Sequence, residues 1–209
     1  MQLLNKVAIK KSLAHTWYIY PIALALMSVL WVWGFYAFHQ PSKHETLTLF
    51  FATDIKDNSF LTDIQTEHYD KEKLREVNYK GMLPNGVEYL TVLNVYFADC
   101  DILILDDETM TRFSEIADHY FIEMDNYVKE TYLFNSNEYY TSHEKDYGVL
   151  IKKKGETSFY SKYMTFDETK DYYLTLSITS VNLGKVTSES NEYYDNALTY
   201  MHYLVEKSL

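Results

Sequence analysis

Apolar and polar positions are spread very unevenly along this chain. From Trp17 to Phe38 it reads WYIYPIALALMSVLWVWGFYAF, without one charged residue. A run of about 22 residues is long enough for a helix to cross the roughly 30 Å hydrocarbon core of a bilayer. It predicts a transmembrane helix over 17–38, a short segment 1–16 before it, and one outer domain over 43–209. A cleavable signal peptide would have an apolar region of about 7–15 residues and a small-x-small cleavage site. This run is longer and ends in Tyr36-Ala37-Phe38-His39, a poor site.

Beyond the run the periodicity changes. Thr46 to Ala52 is apolar enough for a mostly buried strand. Asn58 or Ser59 can cap a short helix to about His68, with Phe60, Leu61 and Ile64 on one face. Leu74 to Tyr79 alternates as a second strand. Pro84-Asn85-Gly86 is a turn signal, and Val87 to Ala98 has the length of a helix. Asp101-Ile102-Leu103-Ile104-Leu105-Asp106 is a continuous apolar run bounded by acids, the mark of a strand covered on both faces in a parallel sheet. A helix to about Phe121 follows, with Phe113, Ile116, Ala117, Tyr120 and Phe121 as its stripe. Residues 125–169 read as more β-like: a strand at Tyr147–Ile151, a hairpin through Lys154-Gly155 and a strand near Phe159–Met164. Tyr172 to Ile178 is a further strand. A helix from about Ser190 closes the chain, with Tyr194, Ala197, Leu198, Met201, Leu204 and Val205 on its apolar face. The order predicts an α/β domain on a mainly parallel sheet.

Charge orients the apolar run. Lys6, Lys10 and Lys11 precede it, and basic residues close to a span stay cytoplasmic, so the amino terminus is expected inside and the outer domain on the extracellular side of a cell membrane. Aromatic residues at both ends (Trp17, Tyr18 and Tyr20; Trp31, Trp33 and Tyr36) suit the two interfaces. Three of the 19 basic residues precede the run and all 30 acidic residues follow it, so the outer part carries 14 more acids than bases. Such a surface repels nucleic acid. The single cysteine, Cys100, excludes an intrachain disulfide, and the domain must rely on its core, which fits a bacterial surface protein.

The β-α-β-α-β unit ending in Ala98-Asp99-Cys100-Asp101-Ile102-Leu103-Ile104-Leu105-Asp106 resembles the first lobe of the extracellular solute-binding proteins of ABC importers. Tyr172-Tyr173-Leu174-Thr175-Leu176-Ser177, Ser180-Val181-Asn182-Leu183-Gly184 and Asn196 to Leu204 are similar to that family's closing strand and final helix. The outer part has room for one lobe and at most a remnant of a second, which removes hinge closure. The resemblance therefore implies a membrane-anchored, one-lobe relative that serves as an accessory to a transporter.

No catalytic signature stands out. The acids Asp99, Asp101, Asp106, Asp107 and Glu108 match no calcium loop, and read as flanking a strand and capping a helix. His119 and Glu123 stand one helical turn apart, but no second metal-binding pair accompanies them. Cys100 reads as a small core residue. No metal and no cofactor are expected. In open α/β sheets ligands sit outside the carboxyl ends of strands. That rule selects Thr53, Asp54 and Asp106 as the ligand-binding positions. The expected function is a membrane-anchored binding or interaction module, not an enzyme, with the bilayer and a membrane protein as partners. The need for a small-molecule ligand stays open. The alternatives are a surface sensory subunit and a carboxylate-dependent surface hydrolase.

Overall fold

The computed structural model describes residues 16–67, 74–134, 138–183 and 195–208, and the chain divides into one unit ending at Gln40 and another beginning at Pro41. The three lysines before the apolar run, and the first residues expected in the closing helix, lie outside the described residues.

In the first unit the apolar run forms helix α1, Ile19–His39, which buries none of its residues. Pro21 falls in its first turn, where a missing N–H removes no helical bond. Ser28 turns its hydroxyl back onto Leu24 O at 2.9 Å, so no free hydroxyl interrupts the apolar surface. At the other end Gln40 is extended (φ −64°, ψ 131°), the conformation forced on a residue that precedes proline.

In the second unit three strands lie parallel. β1 (Thr46–Phe51) is central, flanked by β3 (Glu76–Gly81) and β4 (Ile102–Asp106). Helix α2 (Ser59–Glu67) links β1 to β3, and helix α3 (Gly86–Asp99) links β3 to β4. Successive side chains on a strand face opposite ways, and the core follows that rule. Leu47, Leu49, Phe51, Ile102 and Ile104 pack with Phe60, Leu61 and Ile64 of α2. Phe50, Leu103 and Leu105 pack with Tyr89, Leu93 and Phe97 of α3. The two helices thus cover opposite faces, and all five residues of β4 are buried.

The other half of the sheet corrects the expectation of a mainly parallel one. β8 (Tyr172–Leu176) runs antiparallel to β4, β6 (Lys145–Lys152) antiparallel to β8, and β5 (Tyr139–Ser142) antiparallel to β6, giving the order β3-β1-β4-β8-β6-β5. The sheet is mixed. Burial alone marks a strand as central without fixing its direction, because parallel and antiparallel neighbours cover it equally well. The closing helix α7 (Asn196–Ser208) joins the α2 side through Ala197, Leu198, Met201, Leu204 and Val205.

Two further expectations change. The helix expected from Asp106 to Phe121 is broken into α4 (Asp107–Arg112), a 3₁₀ turn (Ser114–Ile116) and α5 (Ala117–Tyr120). The break lets Phe113, Tyr120 and Phe121 converge on Phe97 at ring-centroid distances of 5.0, 5.2 and 5.2 Å, a cluster that one straight helix could not bring together. The strand expected near Phe159–Met164 is a 3₁₀ turn (Phe159–Lys162) followed by the short β7 (Met164–Thr165). β7 pairs with β2 (Asp54–Ile55) in a separate two-stranded sheet. α6 (Asn126–Thr131) lies between α5 and β5.

Beneath the amino ends of the parallel strands, Asp101 ties distant segments together. Its carboxylate accepts from Thr48 N at 2.7 Å, Ser180 Oγ at 2.5 Å and Asn182 Nδ2 at 3.2 Å. Burial pushes its pKa up, against the pull of these three bonds. A raised folded-state pKa means that folding favours the protonated form. The contribution of Asp101 is therefore full below the ordinary aspartate range and declines as pH rises through the folded value. Asp101→Asn does not titrate, so its stability deficit against the parent chain should be larger at pH 4 than at pH 7 in urea unfolding. A deficit that grows with pH would contradict this assignment.

Candidate functional site

The carboxyl ends of β1 and β3 open onto a crevice of about 240 Å³, lined by Thr53, Asp54, Gly81, Met82, Leu83, Asn85, Glu88 and Tyr89. The chain reverses direction here. α2 leaves β1 for one side of it, and α3 returns from β3 to the other side, so the loops part and leave a hollow. Gly81 makes the approach possible, since a Cβ there would stand 3.2 Å from Thr53 O and 3.3 Å from Ile55 Cδ1. Thr53 is buried and donates to Thr165 O at 2.6 Å, which fixes the end of β1 against β7. Asp54 is exposed at the start of β2.

The floor is held by a chain of hydrogen bonds. Tyr89 Oη and Thr109 Oγ1 lie 3.1 Å apart. Burial pushes the Tyr89 phenol well above its ordinary range, so it acts as a neutral hydrogen-bonding group. Thr109 N donates to Asp106 Oδ1 at 2.9 Å, which makes Asp106 the cap of α4. The other carboxylate oxygen of Asp106 meets Lys170 Nζ at 2.5 Å, and Lys170 also reaches Glu108 at 2.8 Å. Burial draws the Lys170 ammonium toward neutrality, but its bonds to Asp106 and Glu108 outweigh this and hold it charged. Lys170, together with Arg112 at 2.6 Å, holds the Glu108 carboxyl down to about 2. Lys152, itself buried, donates to Asp167 O at 2.9 Å and Lys170 O at 3.0 Å and so shapes the loop that carries Lys170.

Of the three positions selected from sequence, the structure brings Thr53 and Asp54 together on the crevice. Asp106 is 1% exposed and already bonded on both oxygens. It supports the floor from behind rather than facing the opening. Glu88, Tyr89 and Asn85 were not selected. The strand-end rule applied to the second strand would have found them, but its apolar alternation ends at Tyr79, short of Gly81. The Pro84-Asn85-Gly86 turn was the remaining signal.

The acids around β4 divide between its two ends. Asp99 and Asp101 lie at the amino end, and Asp106, Asp107 and Glu108 at the carboxyl end. A five-residue strand separates them by about 16 Å, so they do not form one cation site. His119 lies in α5, whereas Glu123 falls beyond it and pairs with Lys145 at 3.2 Å. Among the described residues no group of three or more potential metal ligands occurs. Cys100 is buried, and burial pushes its thiol up to about 12, an unreactive state. Comparison with known protein families, curated sequences and solved structures finds no match. Chemically, the crevice offers two carboxylates (Asp54 and Glu88), an amide (Asn85) and an apolar wall (Met82 and Leu83). That set suits a cationic group with a short apolar stem.

A second hollow, of about 300 Å³, lies at the opposite end of the sheet among Thr46, Thr48, Ala98, Asp99, Asp101, Thr179 and Ser180. Several of its polar groups are engaged in holding the chain. Asp101 is bonded as described above, Thr46 Oγ1 donates to Ser42 O at 3.1 Å, and Thr179 Oγ1 to Phe97 O at 3.0 Å.

Proposed function

We propose that this chain is a single-pass membrane protein with its amino terminus inside. Its outer domain is a binding or interaction module that serves as an accessory subunit beside a transporter, and it is not an enzyme. The observation that carries the reading is α1, 21 residues without one Asp, Glu, Lys or Arg, none of which is buried. A helix so apolar is stable only where lipid or another protein surrounds it. Lys6, Lys10 and Lys11 before it support the orientation, and the resemblance to one lobe of a solute-binding protein supports the transporter setting.

The crevice favours contact with a protein over capture of a whole solute. Pockets that enclose small ligands measure roughly 300–1,000 Å³, and this one is about 240 Å³ and open. Sugars and amino acids should therefore bind the domain weakly or not at all in calorimetry. The test of the partner is gentle detergent extraction of the full-length chain from its native membrane. A second membrane protein should be recovered with it, and recovery should fall when residues 17–38 are replaced by an unrelated span. Submicromolar binding of a small solute without any co-purifying protein would overturn the reading in favour of a compact solute receptor.

A further inference from the structure

Helix α3 has an outward face unlike that of an ordinary surface helix. Between Glu88 and Asp99 it carries no charged residue, although solvent-facing helix surfaces are normally charged and polar. Leu90, Thr91, Asn94, Val95 and Ala98 are all exposed along it, with Leu90 at 38% and Val95 at 55%. The face is continuous with the crevice, because the exposed Glu88, one and two helical turns before Thr91 and Val95, also lines it. Leu83, 46% exposed, extends the apolar surface to the rim.

The charge around this surface selects its occupant. The crevice lining holds two acids, Asp54 and Glu88, and no base, in a domain with 14 more acids than bases. A second copy of the chain would bring like charge against like. An anionic lipid surface is repelled for the same reason. A partner with apolar residues next to a cation meets both features at once. The hollow is too small for a drug-sized solute but large enough for one long side chain.

Building on the membrane-partner reading above, we propose that the outward face of α3 docks a segment of a partner protein. That segment lays apolar side chains along Leu83, Leu90 and Val95 and inserts one lysine or arginine into the crevice lined by Asp54 and Glu88. The contact is apolar along the helix and electrostatic at its amino end, so added salt should weaken it without abolishing it.

The test uses the full-length chain in its native membrane, with a photo-crosslinking residue at Val95 and, as a control, at the exposed Glu156. The expected result is an adduct at position 95, absent from position 156, to a segment of a different polypeptide that contains a lysine or arginine beside apolar residues. Its yield should fall about tenfold in Glu88→Lys, less in Glu88→Gln, and only in part on addition of salt. Adducts to this same chain, adducts to lipid, an acidic partner segment, equal yields in the Glu88 variants, or no adduct at all would each overturn the proposal. If no adduct forms while a membrane protein still co-purifies through residues 17–38, this inference fails and the membrane-partner reading stands. If neither is found, both fail.

Discussion

Replacing Ile104 by aspartate should unfold the unit that begins at Pro41. Ile104 is 1% exposed at the middle of the sheet, where β4 is flanked by β1 on one side and pairs with Leu174 of β8 on the other. Its side chain lies in the cluster that contains Leu49, Phe51, Leu174 and Leu204, with no cation among those neighbours. An unpaired carboxylate there costs on the order of 5 kcal/mol. That is comparable with the whole stability of an ordinary domain, about 5–15 kcal/mol. Ile104→Val, which removes one methyl group, should cost only about 1 kcal/mol. Urea unfolding of the segment from Pro41 onward separates the two cases. A folded Ile104→Asp variant with an unchanged midpoint would contradict the placement of β4 at the centre of the sheet.

The second large effect belongs to Lys170. Its ammonium is the partner of a carboxylate, Asp106, whose side chain is 1% exposed. Lys170→Met would leave that carboxylate with the Thr109 N–H bond and no counter-ion. Removing one member of a buried pair costs about 3 kcal/mol or more, because the remaining charge stays desolvated. Asp106→Asn keeps an oxygen for the Thr109 N–H and removes the charge. The double variant should therefore recover at least about half of the loss caused by Lys170→Met alone. A double variant whose loss equals the sum of the two single losses would show that the pair is not coupled as the geometry implies.

Much of the fold was legible because its signals are local. The uncharged run at 17–38 yields α1, and the acid-bounded run at 101–106 yields the fully buried β4. The length of Val87 to Ala98 yields α3, although its apolar residues fall on both faces, with Leu93 and Phe97 buried and Leu90 and Val95 exposed. Alternation along β4 also assigns Ile102 and Ile104 to one core and Leu103 and Leu105 to the other, as found. Strand direction was not legible. Tyr172 to Leu176 carries the same apolar pattern whichever way it runs, and its antiparallel placement depends on the long excursion through α4 to β7. The break at Phe113–Ile116 was hidden because the aromatic stripe has helical spacing. What defeats that spacing is a tertiary event, the convergence of three rings on Phe97. At the site, Thr53 and Asp54 followed from their place after β1. Asp106 met the same rule but is occupied by Thr109 and Lys170, and its ion-pair partner is 64 residues away in sequence. Glu88 and Tyr89 came to the crevice through β3, whose exposed side chains weaken the apolar signal that marks a strand end.

The central claim, an outward-facing module on a membrane anchor, is tested most directly by labelling. Cys100 is 1% exposed and does not compete for reagent. A cysteine introduced at the exposed Glu156 should react with a membrane-impermeant maleimide on intact cells. One introduced at Lys6 should react only after the cells are opened. The reverse pattern, with position 6 labelled from outside and position 156 protected until lysis, would contradict the account.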